Sequence, residues 1–367
     1  MTRRAVGVIG ASGDIGQRAV EALLRLGALT ISDLTLAGRR VENIPAQLHG
    51  QATQRRALDV TDTAELARFA TDHDVVLDVT GPAHQRALNS AAVISEHGTH
   101  VVAVGGPADA RSVQNLHIPK KTTALFYAGA IPGASGIIPR ALLQQCPTAR
   151  TLEVLAGGVG AFTLAGAEDY LAGLAHGDVE PMAAWREGAV RSGAATRIEQ
   201  VRLAEFTDPV SLFPYCDLEG QVVAQEHHLT EATWYSVMSG EGIAEVLQVA
   251  AGMGIGAGAQ RLRDASMALA AGRRVHVMMR ARTEDQQLVL RAPGEAVLAG
   301  CVAAVAVNEI LAGQVGAGAA IAAHALDPQR VVAALSIADQ RVTVTRSCVD
   351  FGATAEGTGV DMDEGEL

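Results

Sequence analysis

Gly10-Ala-Ser-Gly13-Asp-Ile-Gly16 sets three glycines at intervals of three. At Gly10 the chain can turn sharply. At Gly13 an anion can approach the backbone, and at Gly16 a helix can pack closely against a strand. The first amides of a helix are unpaired donors at its positive end, so the arrangement suits a diphosphate. The residues expected there are Gly10, Ser12, Gly13, Asp14, Ile15 and Gly16. The spacing GxxGxxG departs from the commoner GxGxxG, and in a chain with 39 glycines the pattern gains meaning only from its surroundings.

Two arginines refine the reading. Arg39 and Arg40 follow the apolar run Leu34-Thr-Leu-Ala37 and Gly38. A domain choosing NADH usually carries a carboxylate here for the ribose 2′-hydroxyl. A guanidinium can instead grip a 2′-phosphate in a bidentate way, so NADP(H) is the expected cofactor. The alternative is a pair of solvated arginines after a strand. Asp59 and Val60 are expected beside the adenine. Thr80, Gly81 and Pro82 are expected on the same cofactor-binding edge.

Hydride transfer asks a protein mainly to position the acceptor and exclude water. Reduction of C=N also needs a proton on nitrogen, and reduction of C=C needs one on carbon. Lysine is scarce: Lys120 and Lys121 follow Pro119 in a polar loop. Of the four tyrosines, Tyr127 falls in an expected core strand, a structural position. Tyr170, beside Asp169, is the first candidate acid; the alternative is a half-buried helix residue. His227 and His228 precede Thr230–Met238, which holds Trp234 and Tyr235. His227 and Tyr235 are the further catalytic candidates, since successive side chains of a strand face opposite ways. His176 is expected at the surface. No metal site is expected: the His pair lacks a third ligand, and Cys146, Cys216, Cys301 and Cys348 form no CxxC.

These residues need a scaffold that brings them to one edge. Ala5–Ile9 reads as a buried strand, and Gln17–Leu26 has helical spacing ended by Gly27. Strands are expected at 34–37, 56–60, 74–80, 100–105 and 123–128, with helices from Thr61 and over 84–97. Alternation with short links means a parallel sheet with right-handed crossovers, its ligands at the carboxyl ends of the strands. After about residue 150 the alternation breaks. Strands are expected at 152–155, 197–204 and 221–229, and a hairpin at 274–282 and 286–291 around Thr283-Glu-Asp285. Helices are expected at 164–175, 241–252, 296–311 and, close-packed, 316–325. The fold class is α/β: a Rossmann-type parallel sheet domain over 1–130 and an α+β substrate and oligomerisation domain over 131–345. Helices near 131–145 and 296–330 are expected to return to the first domain.

Composition sets bounds. The chain has 367 residues, 49% apolar and 3% aromatic, enough for about two domains with cores of Ala, Val, Leu and Ile. Net charge is −11, and the segment 350–367 holds six acids and no base; it is expected to be a disordered tail. An acidic chain without a basic stripe argues against nucleic acid. The N-terminus does not read as a signal peptide, and Ala296–Gly313 contains Asn308 and Glu309, so a buried helix is expected rather than a membrane span. The expected setting is cytoplasmic, as a homodimer acting on a small-molecule or carrier-bound substrate, without a membrane partner.

Gly10-Ala-Ser-Gly-Asp-Ile-Gly16, Ala37-Gly-Arg39, Asp59-Val60 and Asp74-Val-Val…Thr80-Gly-Pro82 resemble the NADP-binding domain of saccharopine dehydrogenase-like reductases. Ala128-Gly-Ala-Ile-Pro-Gly-Ala-Ser-Gly136, Gly157-Gly-Val-Gly160…Asp169-Tyr-Leu171 and Ile310-Leu-Ala-Gly313…Leu326-Asp-Pro328 are similar in style to later parts of that family. The resemblance implies an NADPH-dependent oxidoreductase reducing an imine of a small amino-acid-derived or biosynthetic intermediate. A trans-acting enoyl reductase, with a long apolar cleft, is the alternative within enzymes. A non-catalytic NADPH-binding sensor is the alternative outside them.

Overall fold

The computed structural model describes residues 4–48, 54–176, 179–240 and 242–349. The acidic segment 350–367 and Glu241, the expected start of a helix, lie outside the described residues.

The chain begins with β1 (Val6–Ile9), buried at every position, as a strand covered on both faces must be. The glycine turn leads into α1 (Asp14–Arg25), whose buried stripe is Gly16, Ala19, Val20, Ala22 and Leu23. Then follow β2 (Leu34–Gly38), β3 (Gln54–Ala57), α2 (Thr63–Thr71), β4 (Val75–Asp78), α3 (Ala87–Glu96), β5 (His100–Ala103) and β6 (Thr123–Phe126). Asp62 caps α2 by accepting from the amides of Ala64 and Glu65. The sheet runs β3-β2-β1-β4-β5-β6 and every pairing is parallel. The strand order reverses at β1, which opens a crevice over the carboxyl ends of β1 and β4.

From β6 the chain returns through α4 (Ala134–Leu143) to a mixed sheet. Its members are β7 (Thr151–Val159), β8 (Glu180–Pro181), β9 (Ala184–Arg186), β10 (Ala189–Arg191), β11 (Ile198–Val201), β12 (Val210–Cys216), β13 (Glu231–Ser239), β14 (His276–Arg282), β15 (Gln286–Ala292) and β17 (Thr343–Cys348). Helices α5 (Leu164–Ala175), α6 (Leu218–Glu226), α7 (Ile243–Gly252) and α8 (Ile255–Ala270) are inserted between its strands. Then α9 (Glu295–Leu311) crosses back, and β16 (Gly318–Ile321) joins the first sheet beside β6 in parallel. Short α10 (Ala322–Ala325) and α11 (Pro328–Ala338) lead to β17.

Side-chain alternation gives the second sheet two distinct faces. Leu152, Val154, Ala156, Trp234, Met279 and Leu290 join the core that also contains α4, α9 and α1. Leu155, Val159, Val237 and Met278 face the other way, onto Leu203 and Phe206. A smaller core of Ala167, Leu171, Leu247 and Leu262 binds α5, α7 and α8 together.

Several expectations need correction. Residues 221–229 are not a strand: Asp217 caps α6 by accepting from Gly220 N at 2.8 Å, and Val223 and Ala224 are buried on its stripe. Residues 316–325 are not one helix. The small side chains of Gly318–Ile321 let that stretch add an edge strand, leaving only a single helical turn. Tyr127 lies one residue beyond β6, at φ +57, with its hydroxyl donating to Pro107 O. The expected helix over 84–97 divides into a turn at Ala83–Gln85 and α3. The third strand sits at Gln54–Ala57, earlier than 56–60.

Candidate functional site

At the opening turn, Gly10 has φ +87, and a side chain on Gly16 would stand 2.4 Å from Gly10 O and 2.8 Å from the Cα of Ala11. Only glycine fits there. Gly13 differs: a Cβ would meet nothing closer than Gly10 O at 3.4 Å. Gly13 is the N-cap of α1, and no side chain caps that helix. The mouth of α1 is therefore an open cradle: Gly13 N bonds to Gly10 O at 3.0 Å, but the next amides have no partner among the described residues, and they fit a diphosphate. Asp14 and Ile15 offer their backbone amides there, and the carboxylate of Asp14 is exposed. The Ser12 hydroxyl lies close to Gly38, 3.9 Å from where a Cβ would stand, at the end of β2.

Arg39 and Arg40 follow directly and are both exposed. Among the described residues neither makes a salt bridge. Asp59 is exposed too, and accepts from Thr61 N at 2.9 Å and Thr61 Oγ1 at 2.8 Å. Those hydrogen bonds hold its carboxyl below the usual range, with Arg39 close enough to add to the effect. Val60 beside it is buried. At the end of β4, Thr80 donates from its amide (2.9 Å) and hydroxyl (2.6 Å) to the buried carboxyl of Asp78. Gly81-Pro82 is a cis peptide, and a side chain on Gly81 would stand 2.8 Å from the Cβ of Ala165 in α5. Thus α5 rests directly on the loop after β4.

The wall facing this edge is rich in proton-bearing groups. Tyr170, on α5, packs its ring against Phe162 with centroids 5.6 Å apart. Its hydroxyl has no hydrogen-bond partner among the described residues. Burial pushes its pKa up to about 12, although the side chain keeps some accessible surface. The ring packs at the edge of the core that joins α5, α7 and α8. Tyr215, near the end of β12, is raised well above its usual range by burial first and then by Asp217, Glu219 and Tyr170. Glu219 accepts from Gly133 N at 3.1 Å and Ser135 Oγ at 2.8 Å, at the start of α4. Its other oxygen, Oε1, is buried without a partner among the described residues. Burial raises the carboxyls of both Asp217 and Glu219, and Asp217 raises Glu219 further. Cys216, between Tyr215 and Asp217, is a buried thiol that burial pushes up to about 12.

Not every expected residue reaches this crevice. Tyr170 does. His227 is the C-cap of α6, whose first turn holds Glu219; eight residues of helix put it ~12 Å further along. Its imidazole is desolvated and lies near Arg140, which lowers its pKa. Tyr235 packs with Leu155 and Val237 on the far face of the second sheet, away from the crevice. The structure places both apart from Tyr170: the first on the helix that replaces an expected strand, the second on the opposite face by side-chain alternation. The structure adds Tyr215, Asp217, Glu219 and Asp169. Asp217-Leu-Glu219 before Val222-Val223 is a readable helix start, a cap followed by an acidic first turn, and it would have located α6.

No curated protein matches this chain. Residues 6–125 match the saccharopine dehydrogenase NADP binding domain family. Among solved structures, the apo saccharopine dehydrogenase (L-Glu forming) of Saccharomyces cerevisiae is similar with TM-score 0.67 at 14% identity, over 95% of this chain and 100% of that one. The homospermidine synthase of Legionella pneumophila in complex with NAD is similar with TM-score 0.62 at 11% identity, over 100% of this chain and 95% of that one. At such identities the likeness establishes the fold. No helix among the described residues is long and apolar enough to cross a membrane.

Proposed function

We propose that this chain, which carries a saccharopine dehydrogenase-type NADP-binding domain, is an NADPH-dependent oxidoreductase that reduces the C=N bond of a small substrate. The observation that supports the reading is that the open mouth of α1 and the loop after β4 share one sheet edge, and that this loop is tied to α5 at Asp169, next to Tyr170. The chemistry such a dinucleotide supplies when bound is a hydride.

The amides at the mouth of α1 would hold the diphosphate, and Arg39 would hold the 2′-phosphate that distinguishes NADPH from NADH. The substrate would lie beside Tyr170, over the carboxyl ends of β1 and β4. The Tyr170 hydroxyl would give the proton that the substrate nitrogen gains as its carbon gains the hydride. A phenol held at a high pKa remains a donor throughout the physiological range. Asp217 and Glu219 favour C=N over C=C: burial raises both carboxyls, and a cationic protonated imine beside them would favour their ionised form, which an apolar acceptor would not. The reverse reaction, oxidation of an amine, uses the same groups with the phenolate as base.

The test is turnover. Purified protein with NADPH is given a panel of cyclic and open-chain imines and, separately, α,β-unsaturated thioesters, and absorbance at 340 nm is followed. Consumption with imines alone supports the reading. Consumption with the thioesters alone favours enoyl reduction, and binding of NADPH without turnover of either class favours a sensor.

A further inference from the structure

Asp169 joins α5 to the loop after β4 by three hydrogen bonds. Its carboxylate accepts from Ala83 N at 3.0 Å, from His84 N at 2.9 Å and from the His84 ring at Nδ1, 2.7 Å away. All three donors belong to the turn immediately after the cis Gly81-Pro82 peptide, over the end of β4. One helical turn earlier, Ala165 rests against Gly81. Asp169 is followed at once by Tyr170. Behind them, Ala167 and Leu171 are fixed in the core shared with α7 and α8. The helix is thus gripped on both sides, and the phenol issues from the gripped turn.

We propose that Asp169 is a positioning residue: by tying α5 to the loop after β4 it sets where the Tyr170 hydroxyl stands over the crevice. This rests on the reading of Tyr170 as the proton donor, but the contact can be tested without turnover. The chemistry of the clamp requires a carboxylate. Three donors converge on two oxygens that only accept. An asparagine would offer one oxygen and turn an NH2 group toward donors, so at least one bond is lost and a repulsion replaces it. The cost of such a loosening is paid at the reacting atoms, where a misplacement of about 1 Å lowers rates on the order of 100-fold.

The experiment is NMR of protein labelled with [13Cζ]tyrosine. The chain has only four tyrosines, and Tyr170 is assigned by the signal missing from Tyr170→Phe. In the wild type the Tyr170 signal should stay unshifted up to pH 10.5. In Asp169→Asn the signal should begin to titrate near pH 10, because the ring is no longer held in its desolvated place. In parallel, kcat with an accepted imine should fall about 10- to 100-fold while the Kd for NADPH changes less than twofold. If Asp169→Asn does not fold, His84→Ala removes one of the three bonds and leaves both backbone donors; a smaller shift of the same sign is expected. A Tyr170 signal that titrates as in wild type in a folded variant of either kind overturns the proposal. If no imine is ever turned over, the NMR result still decides the clamp, so failure of the clamp and failure of the reductase reading are told apart.

Discussion

The sharpest prediction sets Gly13→Ala against Gly16→Ala. At Gly13 the backbone is at φ −77 and ψ 161, ordinary for any residue, and a methyl would meet only Gly10 O at 3.4 Å. Alanine is a poorer N-cap than glycine, but it also reduces the freedom of the unfolded chain, a gain of about 0.4–1 kcal/mol. The net effect on stability should lie within about 0.5 kcal/mol of zero. The same methyl would occupy the cradle that we assign to the diphosphate. Loss of one charged hydrogen bond costs about 1.5–3 kcal/mol, which is about 10- to 150-fold in Kd. At Gly16 the methyl would press on backbone atoms at 2.4 and 2.8 Å. Overpacking of that kind costs about 1–3 kcal/mol or more of stability. Urea unfolding and NADPH fluorescence titration separate the outcomes. Gly13→Ala should melt like wild type and bind poorly, whereas Gly16→Ala should already be destabilised without ligand. A stable Gly13→Ala protein with wild-type affinity would refute the assignment of the α1 mouth.

Four further outcomes are expected. Arg39→Ala should weaken NADPH by about 10-fold or more through loss of a charged contact and leave NADH nearly unchanged; equal losses by titration would remove the case for 2′-phosphate recognition. Tyr170→Phe should lower kcat by about 10²- to 10⁴-fold with the Kd for NADPH unaltered, and a variant at full rate would assign the proton to another donor. Glu219 is raised above its ordinary 4.5 by burial and by Asp217, so the native state keeps its proton longer than the unfolded chain does. Stability should then fall as pH rises from about 4.5 through the raised value. Glu219→Gln should flatten that decline in urea midpoints measured against pH, and parallel curves would argue against it. Asp339, held down to about 2 chiefly by hydrogen bonds from Arg341, contributes stability above about pH 4 that is lost as pH falls through about 2. Asp339→Asn should cost about 1–2 kcal/mol at pH 7, tempered by water screening of the exposed Arg25 and Arg341. The gap should close below pH 2.

The legible part of the molecule is the part written in local rules. Val6–Ile9, the glycine turn and α1 follow one another within some twenty residues, so periodicity and turn chemistry announce them without help from distant contacts. The same holds for α5, whose observed bounds Leu164–Ala175 agree with its helical spacing, and for the hairpin of β14 and β15 around Thr283-Glu-Asp285. Residues 221–229 are not legible as a helix because their apolar pattern is weak in both periods, and the Asp217 cap that settles the matter lies just upstream. For 316–325, alanine and glycine favour no burial pattern, and the edge of β6 made the choice.

By itself the sequence determined a dinucleotide-type fold, the open glycine cradle and the arginines that follow β2, because each depends on neighbours only a few residues apart. Tertiary structure alone decided which acids meet. Tyr170 and the stretch holding Tyr215, Asp217 and Glu219 are some 45 residues apart, and the burial that raises them is a property of the packed interior that no local spacing encodes. Tyr235 shows the converse. Its neighbourhood in sequence looked suitable, yet the alternation of β13 turns it to the far side of the sheet, since Trp234 fills the core-facing position.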